Sequence, residues 1–301
     1  MKLFKKLKQK ILTIKNSHDD PIIEMWRYNF LINKKHLDRS ILTIKDLSLE
    51  NKPYVLLYEG FSLDMHLPAI AGMKNSINII CQDACLYNAV QNKIKPSIVV
   101  TLDPSHLVAS FWKDIDTSDL ILVASVFTHP LTLTTWKGKI YFYRQTDEQR
   151  IKNLIMNKIT VKYNFIPAFE NKYFVGSTML QITNILAENN KNLTMLIGYD
   201  LCARDGQMYC KYFLERRAAA LNLSVEELQE KLKEHYKDQI LDISDNISTT
   251  HVENLYALTI ENLVFGQLKN LLVVRTVSFS LLKNVISIPF FKLRKYIEDT
   301  E

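Results

Sequence analysis

The chain is short of the residues and patterns that announce many common chemistries. Only seven of its 301 residues are glycine, so a phosphate cradle built purely from glycine is excluded. Neither a G-x-x-x-x-G-K-[ST] loop nor a G-x-G-x-x-G turn follows the first apolar run, and H-E-x-x-H and G-x-S-x-G are both missing. The four cysteines, Cys81, Cys85, Cys202 and Cys210, lack the paired spacing with histidines of a zinc site and read as reduced thiols of a cytoplasmic protein. No apolar run is long enough to span a bilayer. Lysines interrupt the N-terminal apolar stretch where a secretory signal would need a continuous one. Internal repeats and low-complexity segments are also absent. Any anion site must therefore use Ser, Asn, Gln and backbone amides.

What is present is an ordinary apolar content and a net charge of +6 with an uneven distribution. Lys2, Lys5, Lys6, Lys8, Lys10 and Lys15 interleave with Leu3, Phe4, Leu7, Ile11 and Leu12. This basic amphipathic pattern suits an anionic membrane surface or nucleic acid, with a solvated terminal helix as the alternative. The segment from Leu281 to Tyr296 repeats the combination around Phe290 and Phe291, broken at Pro289. The expected protein is soluble or peripheral to the inner face of the cytoplasmic membrane.

Between the termini, apolar runs alternate with helical patterns. Runs at 54–58, 77–81, 97–102, 120–124, 139–143 and 271–275, with another ending at Gly198-Tyr199-Asp200, read as buried strands of an α/β, Rossmann-like, mostly parallel sheet flanked by helices. Residues 1–50 read as an N-terminal basic helical appendage beginning a helix after Asp19-Asp20-Pro21. Residues 51–276 form the main domain, with a helical lid insertion at 203–245 whose second helix opens on the capping box Ser224-Val-Glu-Glu227. Residues 277–301 form a basic tail.

Ligands of such sheets collect beyond the strand carboxyl ends and at helix N-termini. The candidates are Gly60 and Ser62, Gln82 and Asp83, Asp103 and Ser105, Gly198 and Asp200, with Gly176 and Ser177 opening a helix. Each alone is ordinary turn chemistry; together they mark one sheet edge. Among the histidines, His66 and His106 follow polar strand ends. His251 stands at a helix start after Ser248-Thr-Thr250. The Asp114-Ile-Asp116 triplet precedes a strand rather than following one and is rejected as a metal motif.

The order Glu59-Gly-Phe-Ser-Leu-Asp64, Ile94-Lys-Pro-Ser-Ile-Val-Val-Thr-Leu-Asp-Pro104, Gly176-Ser177 and Ile197-Gly-Tyr-Asp-Leu201 resembles the MptE-like domain family over residues 53–276. That family includes Maf flagellin glycosyltransferases and 6-hydroxymethylpterin pyrophosphokinases. The same order resembles Rossmann-like bacterial sialyltransferases, with Gln82, Asp103-Pro104-Ser105, Gly176-Ser177 and Gly198-Tyr199-Asp200 as counterparts. That resemblance implies that Tyr209 contacts the nucleotide phosphate and that His251, counted back from Glu261, is the general base. Tyr58 and Phe61 depart from the glycine and proline of the first turn.

The function so implied is inverting transfer of a sialic-acid-like nonulosonic acid from a CMP-activated donor to a glycan, glycolipid or protein acceptor. It requires no metal or other cofactor and no nucleic acid, and a homo-oligomer is left open. The alternatives are an ATP- and Mg2+-dependent pyrophosphokinase acting on 6-hydroxymethylpterin, and a non-catalytic peripheral protein.

Overall fold

The computed structural model of the chain describes residues 21–37, 43–146, 163, 165–170, 174–187, 192–244, 246–268, 270–276 and 280–298. The six lysines of the first fifteen residues, and the helix they predict, lie outside these.

Nine strands form one sheet in the order β12-β11-β7-β1-β2-β3-β4-β5-β6, and every pair in it is parallel. They are β1 (Tyr54–Leu57), β2 (Asn78–Gln82), β3 (Ile98–Thr101), β4 (Ile121–Ser125), β5 (Lys139–Thr146), β6 (Ala168–Glu170), β7 (Asn192–Ile197), β11 (Leu271–Arg275) and β12 (Ile286–Ser287). All seven strands expected from the apolar runs are present. The central ones are buried on both faces, which is why they read as continuous apolar runs. Successive residues serve opposite cores: Val55 and Leu57 pack on one side with Ile79, Cys81 and Val99, while Tyr54 and Leu56 pack on the other with Ile80, Ile98 and Val100.

Helix α1 (Pro21–Leu37) starts at the proline that suits a first helical turn. It buries Trp26, Phe30 and Leu37, and Trp26 stacks on Phe127 at 5.2 Å. The buried Asn29 donates to the carbonyls of Pro104 and Phe127, and Asn33 to those of Val126 and Thr128. Residues read as an appendage thus contribute core from Trp26 onward, and satisfy carbonyls just beyond β3 and β4 that the strands leave free.

On the same face lie α2 (Leu63–Gly72) and α3 (Leu86–Gln91); α4 (Pro130–Thr135) follows β4. The opposite face is covered by α5 (Val175–Leu186), through Met179, Leu180 and Ile182, and by α8 (His251–Gly266), through Ala257, Ile260 and Leu263. Residues 203–250 hold α6 (Lys211–Leu221) and α7 (Val225–Tyr236), framed by a three-stranded antiparallel sheet of β8 (Ala203–Arg204), β10 (Ile247–Thr250) and β9 (Ile240–Ser244). The segment read as helical therefore carries strands as well; they are short, and the longest, β9, is interrupted by Asp242 and largely exposed, unlike the continuous apolar run of a buried strand. The expected capping box is formed, with Ser224 accepting from Glu227 N–H and the Glu227 side chain accepting from Ser224 N–H. The tail becomes α9 (Phe290–Glu298), starting immediately after Pro289.

From β1 the chain builds outward through β2 to β6, then crosses back to place β7 on β1's other side. The carboxyl ends of β7, β1 and β2 therefore flank a topological switch point, where open α/β sheets form a crevice.

Candidate active site

The chain past β1 keeps following β7. Tyr58 N–H donates to Ile197 O at 2.9 Å and Gly60 N–H to Gly198 O at 3.0 Å. A Cβ on Gly60 would lie 2.2 Å from Gly198 O and 2.4 Å from Asp200 Oδ2, so only glycine permits this approach. Gly198 has φ +74°, and a Cβ there would meet Tyr58 O at 2.0 Å. Asp200 closes the turn: its Oδ2 accepts from Ser62 N–H at 2.8 Å and its Oδ1 from Ser62 Oγ at 2.7 Å. Burial raises the Asp200 carboxyl to about 6, against the pull of the two Ser62 bonds. Gly60, Ser62, Gly198 and Asp200 are thus brought together as a buried knot beneath the strand ends.

The same loop pairs with residues 208–210, since Phe61 N–H donates to Met208 O and Cys210 N–H to Glu59 O. This swings Tyr209 over the end of β1, where it lines a cavity of about 430 Å3 with Glu59, Gln82, Asp83, Asp103 and Arg217. Four of the expected residues meet there: Gln82, Asp83, Asp103 and Tyr209. Helix N-termini form another wall, with Phe174 and Val175 at the start of α5 and Thr250, Val252 and Glu253 at the start of α8. Phe174 and Tyr256 stack at 4.3 Å, only 5° from parallel.

The cavity is acidic, and burial sets its acidities. Asp83 is pushed up to about 7 by desolvation, against the Thr101 hydroxyl bonded to it at 2.6 Å and the Ala84 N–H at 2.7 Å. Burial raises Glu253 to about 7. Glu59 stands well above the carboxylate range, from burial first and then from the neighbouring charge of Asp83. Three acceptor atoms on this wall lack a hydrogen-bond partner: Glu59 Oε2, Gln82 Oε1 and Glu253 Oε2. Each belongs to a side chain no more than 9% exposed, where an unsatisfied polar group costs about 1–3 kcal/mol. Arg217 is the one lysine or arginine lining the cavity among the described residues. No group of three His, Cys, Asp or Glu side chains converges in a metal-ligand arrangement among them.

The other expected site residues stand elsewhere. Ser177 is fully buried, its Oγ donating to Phe174 O at 2.8 Å. A Cβ on Gly176 would sit 2.4 Å from the Phe174 ring and 2.9 Å from that of Tyr199, so this glycine makes room for rings. Ser105 caps the 3-10 turn after β3, accepting from Leu107 N–H and donating its own N–H to Asp103 Oδ1. His251 is exposed, and its neighbours Thr250 and Val252 line the cavity where it does not. Tyr58, buried edge-on against Phe174 at 5.3 Å, does line the cavity, whereas Phe61 does not.

Glu59, Arg217 and Glu253 were not singled out from sequence. Glu253 had a legible signal: Thr250-His-Val-Glu253 is a capping-box pattern. Thr250 Oγ1 does accept from Glu253 N–H at 3.1 Å, while the glutamate's Oε2 is left unpartnered in the cavity wall.

No curated protein matches the chain. Among solved structures, a MAf glycosyltransferase from Magnetospirillum magneticum AMB-1 superposes with a TM-score of 0.56 at 12% sequence identity, over 83% of this chain and 35% of that one. The chain thus spans about a third of that protein's length, and the likeness is one of fold. No helix among the described residues is long and apolar enough to cross a membrane. The sequence profile described as 6-hydroxymethylpterin diphosphokinase MptE-like matches residues 28–206, more than half of the chain and including the loops after β1, β2, β3 and β7, and on that match the chain belongs to the MptE-like family.

Proposed function

We propose that the chain is a glycosyltransferase that takes a sugar from a nucleotide donor, with a CMP-activated nonulosonic acid as the donor. The observation that carries this reading is the unpartnered Glu253 Oε2 in a cavity that also holds Arg217 and the N-termini of α5 and α8. Helix N-termini and an arginine favour an anion, the leaving phosphate. A buried carboxyl near pH 7 suits a general base.

In this mechanism Glu253 takes the proton of the acceptor hydroxyl as its oxygen bonds to the anomeric carbon. The bond from that carbon to the phosphate oxygen breaks, and its electron pair leaves with the phosphate toward Arg217. Positive charge growing on the sugar ring is stabilised by Asp83 and Asp103 in their ionised forms, as in glycoside hydrolysis. Gln82, Asp83, Asp103 and Tyr209 border ribose, base and sugar, while Ser62, Ser177, Gly60 and Asp200 support from beneath. His251, the base implied by resemblance, competes with Glu253 for that role. The acceptor would be a glycan, glycolipid or protein near the inner face of a membrane, reached through the basic termini.

A second reading is diphosphate transfer from ATP to hydroxymethylpterin, the reaction in the family's description. It is favoured by the acceptor-rich wall of Glu59, Gln82 and Glu253, which matches the N–H-rich edge of a pterin. Under it, Asp83 and Asp103 would hold Mg2+. Isothermal titration separates the two. CMP binding without Mg2+ supports the transferase; ATP binding only with Mg2+, together with pterin turnover, replaces it. Binding of neither nucleotide leaves a non-catalytic peripheral protein.

A further inference from the structure

We infer that a second cavity, roofed by α7, seats an apolar portion of the acceptor, so that the preferred acceptor carries a short aliphatic or aryl group beside its reactive hydroxyl. This rests on the transferase reading of the larger cavity. The second cavity has a volume of about 110 Å3; Met208, Leu214, Leu232 and Ile240 supply its apolar wall, and Gln207, Gln229, Ser248 and Thr249 border it as well. Tyr209, Tyr236 and Thr250 belong to its wall and to that of the larger cavity, so the two are neighbours across these three side chains.

Their chemistry is opposite. The larger cavity is bordered by Glu59, Asp83, Asp103 and Glu253, whereas among the described residues no carboxylate borders the smaller one. The charge nearest the smaller cavity is Lys233, whose Nζ is paired with Glu230 at 2.7 Å on the exposed side of α7. An apolar cavity of roughly 150 Å3 suffices for benzene, so this one holds a short chain or the edge of a ring. Ile240, 44% exposed, leaves the cavity open to solvent, which gives a longer acceptor a way out. The position is functional as well as apolar. Thr250 is the residue that caps Glu253, so a group seated here presents an adjoining hydroxyl across Thr250 to the proposed base. A free hydrophilic oligosaccharide or peptide loop would leave this cavity unfilled.

The test uses the full chain, with and without CMP, titrated with methyl, butyl and octyl β-galactosides. A CMP titration alone decides the donor reading. Affinity for the galactosides should rise about fourfold per added methylene from methyl to butyl, the free energy of burying one methylene group, and then level off as the chain leaves past Ile240. Leu232→Glu should abolish this dependence while CMP affinity stays unchanged. Should that variant fail to fold, Ile240→Glu, at the exposed mouth of the cavity, should blunt the gain from methyl to butyl. Equal affinity for methyl and butyl galactosides, or a dependence that survives in a folded Leu232→Glu protein, overturns the inference. Loss of CMP binding with the chain-length dependence intact would sink the transferase reading and leave the apolar seat standing.

Discussion

Asp200 and Ser62, 138 positions apart in sequence, are joined by two hydrogen bonds, the serine donating its N–H to one carboxyl oxygen and its hydroxyl to the other, with both side chains fully buried. This pair ties the loop after β1 to the loop after β7, on the two sides of the switch point. Asp200→Ala leaves two buried donors unpaired and should destabilise the protein by about 2–4 kcal/mol in denaturant titrations. Asp200→Asn, which retains an acceptor, should lose less. If the residue touches the ligand instead, Asp200→Asn will weaken CMP binding more than about tenfold at unchanged stability.

Three buried carboxyls make stability depend on pH in an unusual direction. Asp200 is raised to about 6, and Asp83 and Glu253 to about 7, all principally by burial. Because their folded-state values exceed the unfolded ones, the folded chain binds these protons more tightly. Their contribution is fullest below about pH 4 and is lost as pH rises through 6 to 7, on the order of 3 kcal/mol per group. Melting temperature should therefore fall between pH 5 and pH 8, and Asp83→Asn should flatten the slope. A melting temperature that climbs over this interval would contradict the assignment.

The choice of base is open to direct kinetic measurement. Glu253→Gln should lower kcat by about 10²–10⁴ with donor affinity nearly unchanged, whereas His251→Ala, altering an exposed side chain, should retain most activity. The wild-type rate should rise through about pH 7 to a plateau as Glu253 ionises. The opposite ranking of the two variants would return the role to His251.

Arg217 lines an otherwise acidic wall and is half-buried. Arg217→Ala should weaken CMP binding about tenfold, close to 1.4 kcal/mol, with little change in melting temperature. Arg217→Lys should recover part of the loss, because a lysine keeps the charge but not the two-pronged geometry. Cytidine, lacking the phosphate, should bind both variants and wild type alike.

Much of the sheet edge is legible in the sequence. Gly60, Ser62, Gly198 and Asp200 stand out in sequence because polar and small residues end apolar runs, and they do meet. Sequence does not say which way a strand-end side chain turns. Ser62 and Asp200 turn toward each other and are consumed as structure, as is Ser177 on the Phe174 carbonyl. Glu59, adjacent to Gly60, lines the cavity instead. The acidity of Glu253 that suits it to act as a base is created by burial, a property of the folded surroundings alone.

The sequence by itself determined the α/β class, seven of the nine strands of the main sheet and their mostly parallel character, because a strand buried on both faces must be apolar throughout and its crossover must be helical. It also determined the capping box at Ser224 and the helix starts at Pro21 and after Pro289. Only the tertiary structure decided that β1 lies between β7 and β2, that residues 203–250 add a small antiparallel sheet, and that Arg217 and Glu253 converge with residues more than a hundred positions away. Which strand lies beside β1, and which side chains lose water, depend on packing between distant segments, and no local pattern encodes that. Phe174, Tyr199 and the Asp200 knot thus supply the frame of the cavity, and the chemistry stands on the residues that frame holds in place.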